Sequence, residues 1–547
     1  MKIPKEDVER ERFIEEIISK CLFSREERAR DYASYRGYFL HGAGPDEAET
    51  PYNKIYPTVD LLTSFLFSSE TTNFTIHVGP EVHEDEWKKI PPLSKAINTE
   101  WLNSGADMVF MQGLTWALVY NTVMIKLVMR GKDIHPFVVE PHMFGVFRED
   151  MSFTDRQEAM VHCYYTTRSQ LRNDLINHPN IEKILASIQP EKKDLSTENT
   201  GLDRIILVNS MPNIQGNVDL NFGARYQMAP QVDEELVEMQ ELWIWDDEIN
   251  DYRVITRADN RVTIYDRKNF FVDGENPFVQ ICPNPMYGYY WGMSEVFGLV
   301  GLQKWRNERV AQMRKLLDKQ VSPPKVYTGS GIQDEKLYGF GMAGSYLSVN
   351  DPMGKFQELP PTMPSDIFSE LSQIDEMFAE RSGLQNLLQG KGESGVRSGR
   401  QTSELARLGS ARIKKRALII EDALEKMATL YLKAKRVYDD RKYKDEDGVT
   451  FIANQFPDDS VVKVDGHSNS PLFVEDQKAI AAELLKAKAI DRESYLEMVD
   501  PPMKEVLLRR LKNMEEKEAA ASKAKAQQEL QMEQAKHSGA AGLKQVK

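Results

Sequence analysis

The amino-acid sequence predicts an α+β fold, with strands and helices mixed up to about residue 290 and long helices beyond it. Two stretches, 122–148 and 236–281, contain short apolar runs separated by Gly, Pro or polar turn residues, which is typical of β-strands. Two others, 294–320 and 402–438, contain no proline and are long enough for continuous helices. Pro323-Pro324 ends the first of these helices.

The composition indicates a folded globular protein with two or more domains, or with one elaborated domain. The chain has 547 residues, of which 41% are hydrophobic and 28% are charged. Its net charge is −14, from 84 acidic and 70 basic residues. Proteins that bind the nucleic-acid backbone tightly usually have an excess of Lys and Arg that neutralises phosphates. Since this chain is acidic, any contact with DNA is expected to be local or weak.

Three further features concern the cellular compartment. Cys21, Cys163 and Cys282 form no CxxC unit, which favours a reducing compartment and excludes a cysteine-based zinc module. The charged N-terminus lacks the apolar stretch of a signal peptide, so we expect a cytoplasmic protein. Polar residues interrupt the apolar stretch from Phe110 to Met129, where a buried helix followed by a strand is expected instead of a membrane span.

Up to residue 281, the residue pattern predicts alternating helices and strands. Residues 236–281 are expected to form strands, and among them the runs ELWIWDD, YRVITRA and RVTIYDR, separated by polar turns, are typical of an antiparallel meander. The polar stretch 189–201 is expected to form a flexible loop. The other predicted elements are an amphipathic helix over 3–40, a helix over 58–69, a strand over 73–78, helix over 93–120, strands over 122–148 and a helix over 167–177.

Beyond Gly292, two helices flank a small insertion, and a glycine-rich loop follows. Residues 325–361 contain several glycines and β-like runs, which predicts a compact β-containing insertion. Pro364-Ser365-Asp366 opens a helix that runs to Arg381 and stops at Gly383. The segment LQGKGESGVRSGRQ then leads into the helix over 402–438.

The glycine-rich loop matches G-x-G-x-x-G at Gly390 to Gly395, but a dinucleotide site is not expected there. That fingerprint needs a preceding strand and a βαβ unit, whereas a helix precedes this loop and a very long helix follows it. Two interpretations stay open. The segment is either a plain flexible loop, or a loop that offers Lys391, Arg397 and Arg400 to a passing polyanion.

Three other features each allow a structural and a functional interpretation. The basic helix over 402–438 is either a solvated face or a surface that lines a pore or meets a neighbouring subunit's acidic patch. The carboxylates of 246–251 do not follow the calcium-loop pattern and are expected in an exposed turn. The aromatic run 287–291 is expected to pack an entry turn ahead of the long helix, with base stacking as the alternative. No catalytic, cofactor-binding or metal-binding motif is found in the sequence.

The ordered set of these segments resembles the portal, or head-to-tail connector, proteins of short-tailed bacteriophages over most of residues 50–500. The most specific part is NPFVQICPNPMYGYYWGMSEVFGLVGLQKWRNERVAQMRKLLDKQVSPPKVY, which is similar to the family's approach to its stem. The family's N-terminal wing is similar to PYNKIYPTVDLLTSFL, and its core is similar to the stretch through VMIKLVM and VVEPHMFGVFRED. The family's channel-facing loop and helix are similar to SGLQNLLQGKGESGVRSGRQTSELARLG.

The resemblance implies a portal-like α+β architecture with a mixed wing, long stem helices, a small β-containing clip, a helical crown and a C-terminal tail. The implied divisions are an N-terminal wing (1–293), stem helix 1 (294–321), a clip (322–363), stem helix 2 (364–383), a tunnel loop (384–400), a long wing helix with returning strands (401–470), a crown (471–502) and a helical tail that forms a barrel or stays disordered (503–547).

The resemblance also implies a function, partners and sites. It implies a non-enzymatic dodecameric ring at one capsid vertex of the virion, assembled in the host cytoplasm, through which double-stranded DNA is packaged and ejected. The implied partners are other copies of the chain, DNA, terminase, capsid and scaffolding proteins and tail adaptors, without a membrane or cofactor. The implied DNA-facing residues are Lys391, Ser394, Arg397, Ser398 and Arg400, and the implied clip contacts are Lys325, Tyr327, Lys336, Tyr338 and Tyr346.

Two rival functions stay open at the level of sequence. One is another structural component of the head–tail junction, an adaptor or scaffold, which need not have a clip between paired stem helices. The other is a nucleotide-dependent enzyme that uses the glycine-rich loop, against which the missing strand before that loop argues.

Overall fold

A computed structural model describes most of the chain. The described residues are 1–44, 52–69, 72–78, 87–176, 178–188, 236–259, 262–321, 323, 325–328, 355–358, 366–383, 411–445, 448–457, 460–464, 471–487, 489–499, 507, 510, 511 and 514. They form an α+β structure, as the sequence predicts. The predicted flexible loop over 189–201 lies outside the described residues, and so does nearly all of the tail after 503.

The N-terminal third consists of helices that pack on short strands. Its elements are α1 (Asp7–Cys21), α2 (Arg25–His41), α3 (Ile55–Leu66), β1 (Phe74–His77), α4 (Ile90–Asn103), α5 (Ala106–Tyr120), β2 (Val123–Arg130), β3 (Asp133–Val139), β4 (Phe144–Val146), β5 (Ala159–Thr167), α6 (Arg168–Asp174) and α7 (Ile181–Ser187). The helix α5 followed directly by β2 confirms the expectation for Phe110 to Met129. Among the described residues, no helix is long and apolar enough to cross a membrane.

Two predicted helices are each divided in two, which corrects the prediction of one helix over 3–40 and one over 93–120. The first division follows Cys21, whose carbonyl lies so close to Gly145 in β4 that a Cβ atom there would overlap it. The second falls at Gly105, where a φ of +67° places the backbone in the left-handed region and a new helix begins. Both breaks depend on single backbone positions that periodicity does not reveal.

Two antiparallel sheets follow from the strands of this region and of the next. The next strands are β6 (Leu236–Asp246), β7 (Asp251–Ala258), β8 (Val262–Lys268) and β9 (Phe278–Ile281). A five-stranded sheet has the order β4-β5-β6-β7-β8, and a three-stranded sheet has the order β3-β2-β9. The antiparallel meander predicted for the runs ELWIWDD, YRVITRA and RVTIYDR is therefore confirmed by β6 to β8. The next strand, β9, pairs with β2, where Val279 lies opposite Ile125.

The remaining elements are mainly helical. They are α8 (Phe297–Val321), β10 (Lys325–Thr328), β11 (Lys355–Glu358), α9 (Asp366–Ser382), α10 (Ala411–Tyr438), β12 (Lys442–Lys444), β13 (Thr450–Ile452), β14 (Val461–Val464), α11 (Pro471–Lys486) and α12 (Arg492–Val499). The helices predicted to run over 294–320 and 365–381 are confirmed within three residues. The first part of the helix predicted over 402–438 lies outside the described residues.

One large apolar core joins the N-terminal and C-terminal parts of the chain. The helix α10 buries a continuous face, including Ile420, Leu424 and Tyr431, against the core formed by α3 to α5 and the three-stranded sheet. β14 completes this connection by pairing antiparallel with β1, where Val464 opposes Phe74. The wing-like first half and the long helix of the second half are therefore one packed body.

Candidate functional site: the helical hairpin and the basic cleft at its base

The helices α8 and α9 pair as an antiparallel hairpin. Near its base the Arg381 side chain lies against Gly298, farther out the Arg306 Nε donates to Asp375 at 3.1 Å, and the Arg309 Nε donates to Glu370 at 2.8 Å. With 25 residues, α8 is about 37 Å long at 1.5 Å per residue. The hairpin is thus a long arm, whose two helices are joined by ion pairs near the middle of α8.

Only the base of this arm is embedded in the rest of the protein. Gln303 of α8 is fully buried, accepts the Lys54 backbone N–H at 3.0 Å and donates to the Tyr52 carbonyl at 3.1 Å. Asn307, one turn farther along, donates to the Gly42 carbonyl at 2.8 Å. From Glu308 to Val321 no residue of α8 is buried in the part of the chain that the structure describes. The outer half of the arm therefore exposes most of its surface.

A packed turn fixes where α8 begins. Tyr290 and Trp291 are buried, and the Trp291 indole N–H donates to Glu149 at 2.9 Å while the Arg28 guanidinium lies 3.7 Å from the centre of its ring. This burial confirms the packing interpretation of the aromatic run for these two residues, whereas Tyr287 is fully exposed. Gly292 has a φ of +67°, and a Cβ atom there would lie 2.7 Å from the Asn284 carbonyl oxygen.

The two ends of the segment 384–410 are held together. The helix α9 ends at Gly383, whose φ is +76°, and the Arg412 Nη1 of α10 donates to the Glu380 carbonyl at 3.0 Å. A Cβ atom at Gly383 would lie 3.3 Å from the Arg412 Cδ. The described residues on either side of this segment therefore lie together at the base of the arm.

A basic cleft lies at this same place. It has a volume of about 360 Å³. Its charged lining side chains come from three segments: Glu295 before α8, Arg381 at the end of α9, and Arg412, Lys415 and Arg416 on α10. The Arg416 Nη2 donates to Glu295 at 2.9 Å, and the Asn284 side chain donates to the same carboxylate oxygen at 3.3 Å. We call this group of residues the basic cleft.

Three other described lysines of α10 form ion pairs within the chain. Lys426 pairs with both Asp155 and Asp422 at 3.2 Å; burial lowers its pKa, but these two carboxylates outweigh burial and the pKa is raised. Lys433 pairs with Glu275, and the buried Lys435 pairs with Glu100. These three lysines therefore pair with acidic residues of their own chain, which neither the solvated-face interpretation nor the pore-lining or subunit-contact interpretation of this helix included.

The predicted site residues are distributed unevenly. Lys325 and Tyr327 lie in β10, opposite Glu358 and Phe356 of β11 in an antiparallel ribbon. All the other predicted site residues lie outside the described residues; these are Lys336, Tyr338, Tyr346, Lys391, Ser394, Arg397, Ser398 and Arg400.

The acidic turn at 246–251 has a structural role. Asp246, expected to be exposed, is 3% exposed and lies 3.5 Å from the Arg253 guanidinium, which corrects that expectation. The Asp247 carboxylate pairs with the N-terminal amino group of Met1 at 3.1 Å. Among the described residues, no group of three or more His, Cys, Asp or Glu side chains is arranged to hold a metal ion.

The sequence did not single out the basic cleft. One part of it could have been predicted, because the i, i+3, i+4 spacing of Arg412, Lys415 and Arg416 places these three cations on one face of a helix. Arg381 and Glu295 come from other segments, and only the packing of α8, α9 and α10 brings them to the same cleft.

The comparisons with known proteins found weak structural similarity only. No protein-family model matches the chain, and no curated protein matches it significantly. Among solved structures, the chain is similar to chains from the neck of an empty GTA particle computed with C6 symmetry (TM-score 0.42, 11% identity), the neck of a native GTA particle computed with C12 symmetry (0.41, 10%) and the virion of a native gene transfer agent particle (0.40, 11%). Each match covers 86% of this chain and 94% of the other. Similarity at this level is too low to establish a shared fold or function.

Proposed function

We propose that this chain is a portal subunit of a tailed phage or phage-like particle. Twelve copies would form a ring at one capsid vertex, a passive channel for packaging and ejecting double-stranded DNA. The ring would also be the docking site for terminase and for tail adaptors. The proposal includes no catalytic step, and it rests on one observation: a long helical arm that is anchored only at its base.

The exposed surface of the arm favours a neighbouring copy as its partner. Phe368 is 58% exposed, Leu317 43% and Val321 80%. Most helical stability in proteins comes from packing of an apolar face, so exposed apolar side chains along a helix favour a covering partner. In a ring, each arm would lie beside the arms of both neighbours, which would cover these side chains.

The order of elements along the arm agrees with the same proposal. The outer end of α8 leads into the strand β10, and α9 follows the strand β11, so a β-ribbon connects the outer ends of the two helices. The described residues that flank the glycine-rich segment, Gly383 and Arg412, lie at the opposite end, at the base of the arm. A clip beyond a stem and a loop at its base are what the resemblance to portal proteins implies. A simple adaptor does not require this combination.

Imaging of the purified full chain tests the ring. The expected result is a closed ring of about twelve copies with a central hole of duplex-DNA width, by negative-stain images and native mass. Phe368→Asp should reduce the ring to smaller species, because it places a charge in the covered apolar surface. Phe23→Asp is the matched control, since Phe23 is also exposed (89%) but lies in the turn between α1 and α2.

Two results would contradict the proposal. The first is a stable monomer or dimer under all solution conditions. The second is hydrolysis of ATP or another nucleotide by the pure protein, which would favour an enzyme that uses the glycine-rich segment.

A further inference from the structure

The residues that line the basic cleft carry an excess of positive charge. Arg381, Arg412, Lys415 and Arg416 contribute four positive charges and Glu295 one negative charge, which leaves three positive charges in a cleft of about 360 Å³. Pockets for small ligands begin at about 300 Å³. The cleft is therefore large enough for a small anion and its hydrating water.

The charges of the cleft come from elements that hold them in position. Arg412, Lys415 and Arg416 project from one face of α10, and the Arg412 guanidinium is fixed by its hydrogen bond to the Glu380 carbonyl. Arg381 reaches the cleft across Gly298, where a Cβ atom would lie 2.7 Å from the Arg381 Nε. A side chain larger than hydrogen at position 298 would push this guanidinium away from its place.

A second, independent observation is a buried donor without an acceptor. The Nη2 of Arg416 donates to Glu295, but its Nη1 is buried and has no hydrogen-bond acceptor among the described residues. Leaving a buried charged donor unpaired is costly, so such groups normally have a partner. A small shift of this guanidinium toward the cleft would let an anion there supply that acceptor.

We propose that the basic cleft is a binding site for a phosphate group. Guanidinium groups recognise phosphate through paired N–H donors, and three of the four cations in the cleft are arginines. The phosphate is either a free ion or a backbone phosphate of DNA. The DNA alternative rests on the proposed function, whereas the site itself does not.

Calorimetric titration of the full chain with inorganic phosphate tests the site. The comparison is a titration with sodium chloride at the same ionic strength. Saturable heat is expected with phosphate and absent with chloride. The double variant Arg381→Gln/Lys415→Gln should weaken phosphate binding by about tenfold or more, because it removes two charged donors. The matched control is Lys478→Gln/Lys486→Gln on α11, which should bind phosphate like the unaltered protein.

A second titration distinguishes the two sources of phosphate. The probe is a short duplex DNA, with its affinity measured over a range of salt concentrations. If the ligand is a backbone phosphate, the double variant should reduce the slope of log affinity against log salt by about one. An unchanged slope together with lost phosphate binding assigns the site to the free ion.

The proposal is overturned if phosphate and chloride give the same heats, or if the double variant binds phosphate as well as the unaltered protein. Circular dichroism of the variants confirms that they are folded. Imaging the ring tests the proposed function separately from phosphate binding. If the chain forms rings but does not bind phosphate, only the proposal for the basic cleft is refuted.

Discussion

At the scale of the residue, Lys435 shows how the long helix is fixed in the core. Its side chain is 2% exposed and pairs with Glu100 and, at 3.2 Å, with Asp439, whose carboxylate also accepts the Tyr443 hydroxyl at 2.7 Å. Burial by itself lowers the pKa of Lys435, but its hydrogen bond to Glu100 and the nearby negative charges outweigh burial and raise it. Lys435 is therefore charged in the folded protein.

Replacing Lys435 with Met should lower the free energy of unfolding by about 3–5 kcal/mol, because two buried carboxylates lose their cation. Urea denaturation followed by circular dichroism measures this difference. Lys442→Met serves as a control, since Lys442 is exposed on β12 and its loss should change stability by about 0.5 kcal/mol or less. A loss of under about 1 kcal/mol for Lys435→Met would mean that the ion pair contributes little.

The buried His142 should make the free energy of unfolding depend on pH. Its side chain is buried, and burial, followed by the charges of Arg25, Arg28 and Arg36, lowers its pKa to about 3. The unfolded chain binds a proton near pH 6.5, so it binds more protons than the folded state between pH 3 and 6.5. The stability due to neutral His142 is complete above pH 6.5 and is lost as the pH falls through this window.

Between pH 7 and pH 5, His142 should account for about 2 kcal/mol of the fall in unfolding free energy. We therefore expect His142→Phe to have a flatter pH dependence in this range by that amount, whatever its stability at pH 7. Denaturation at half-unit pH steps measures the difference. Equal slopes for the variant and the unaltered protein would show that His142 is not the titrating group.

At the scale of the element, replacing two glycines near the start of α8 with alanine should have opposite effects on stability. Gly292 is in the left-handed region and packs against Cys282 and Asn284, whereas a Cβ atom at Gly301 inside the helix would meet no atom within 4 Å. Gly292→Ala should destabilise the protein by about 1–3 kcal/mol. Gly301→Ala should stabilise it by about 0.5–1 kcal/mol, because alanine favours a helix interior.

Thermal unfolding of the two variants side by side measures both effects. The two variants add the same methyl group, so their difference isolates the backbone conformation and the local space. If Gly292→Ala is as stable as the unaltered protein, a side chain at position 292 fits the turn before α8 without strain.

At the scale of the whole molecule, the acidic charge has a consequence for assembly. The net charge is −14, so twelve copies at −14 each would carry −168. Such a ring would discourage DNA from adhering to its wall while it slides, apart from local cations. The same charge would make the subunits of such a ring repel one another at distances below the screening length.

Ring assembly should therefore weaken at low salt. The screening length grows from about 10 Å at 0.1 M salt to about 30 Å at 0.01 M, so repulsion between the copies increases as salt is removed. Native mass measurements across this range should show fewer complete rings at the low end. More complete rings at low salt would indicate that attraction between opposite charges, and not apolar contact, joins the subunits.

The sequence by itself determined the α+β class and the bounds of the two helices of the arm. Proline pairs, capping residues and glycines are local signals, so the ends of α8 and α9 were predictable within a few residues, whereas most of the insertion between them lies outside the described residues. The helix over Phe110 to Tyr120 and the strand after it were also predictable, since polar residues interrupt the apolar run at a helix-to-strand junction.

The tertiary structure decided the features that depend on residues far apart in the chain. One such feature is the pairing of β9 with β2, and another is the neutralisation of Lys426 and Lys435 by acidic residues far away in the chain. The helix breaks after Cys21 and at Gly105 depend on a distant contact in the first case and on one backbone torsion in the second. The same holds for the basic cleft, where Arg381 and Glu295 join the arginines of α10. Periodicity and composition report only local preference, whereas these features are set by packing between elements.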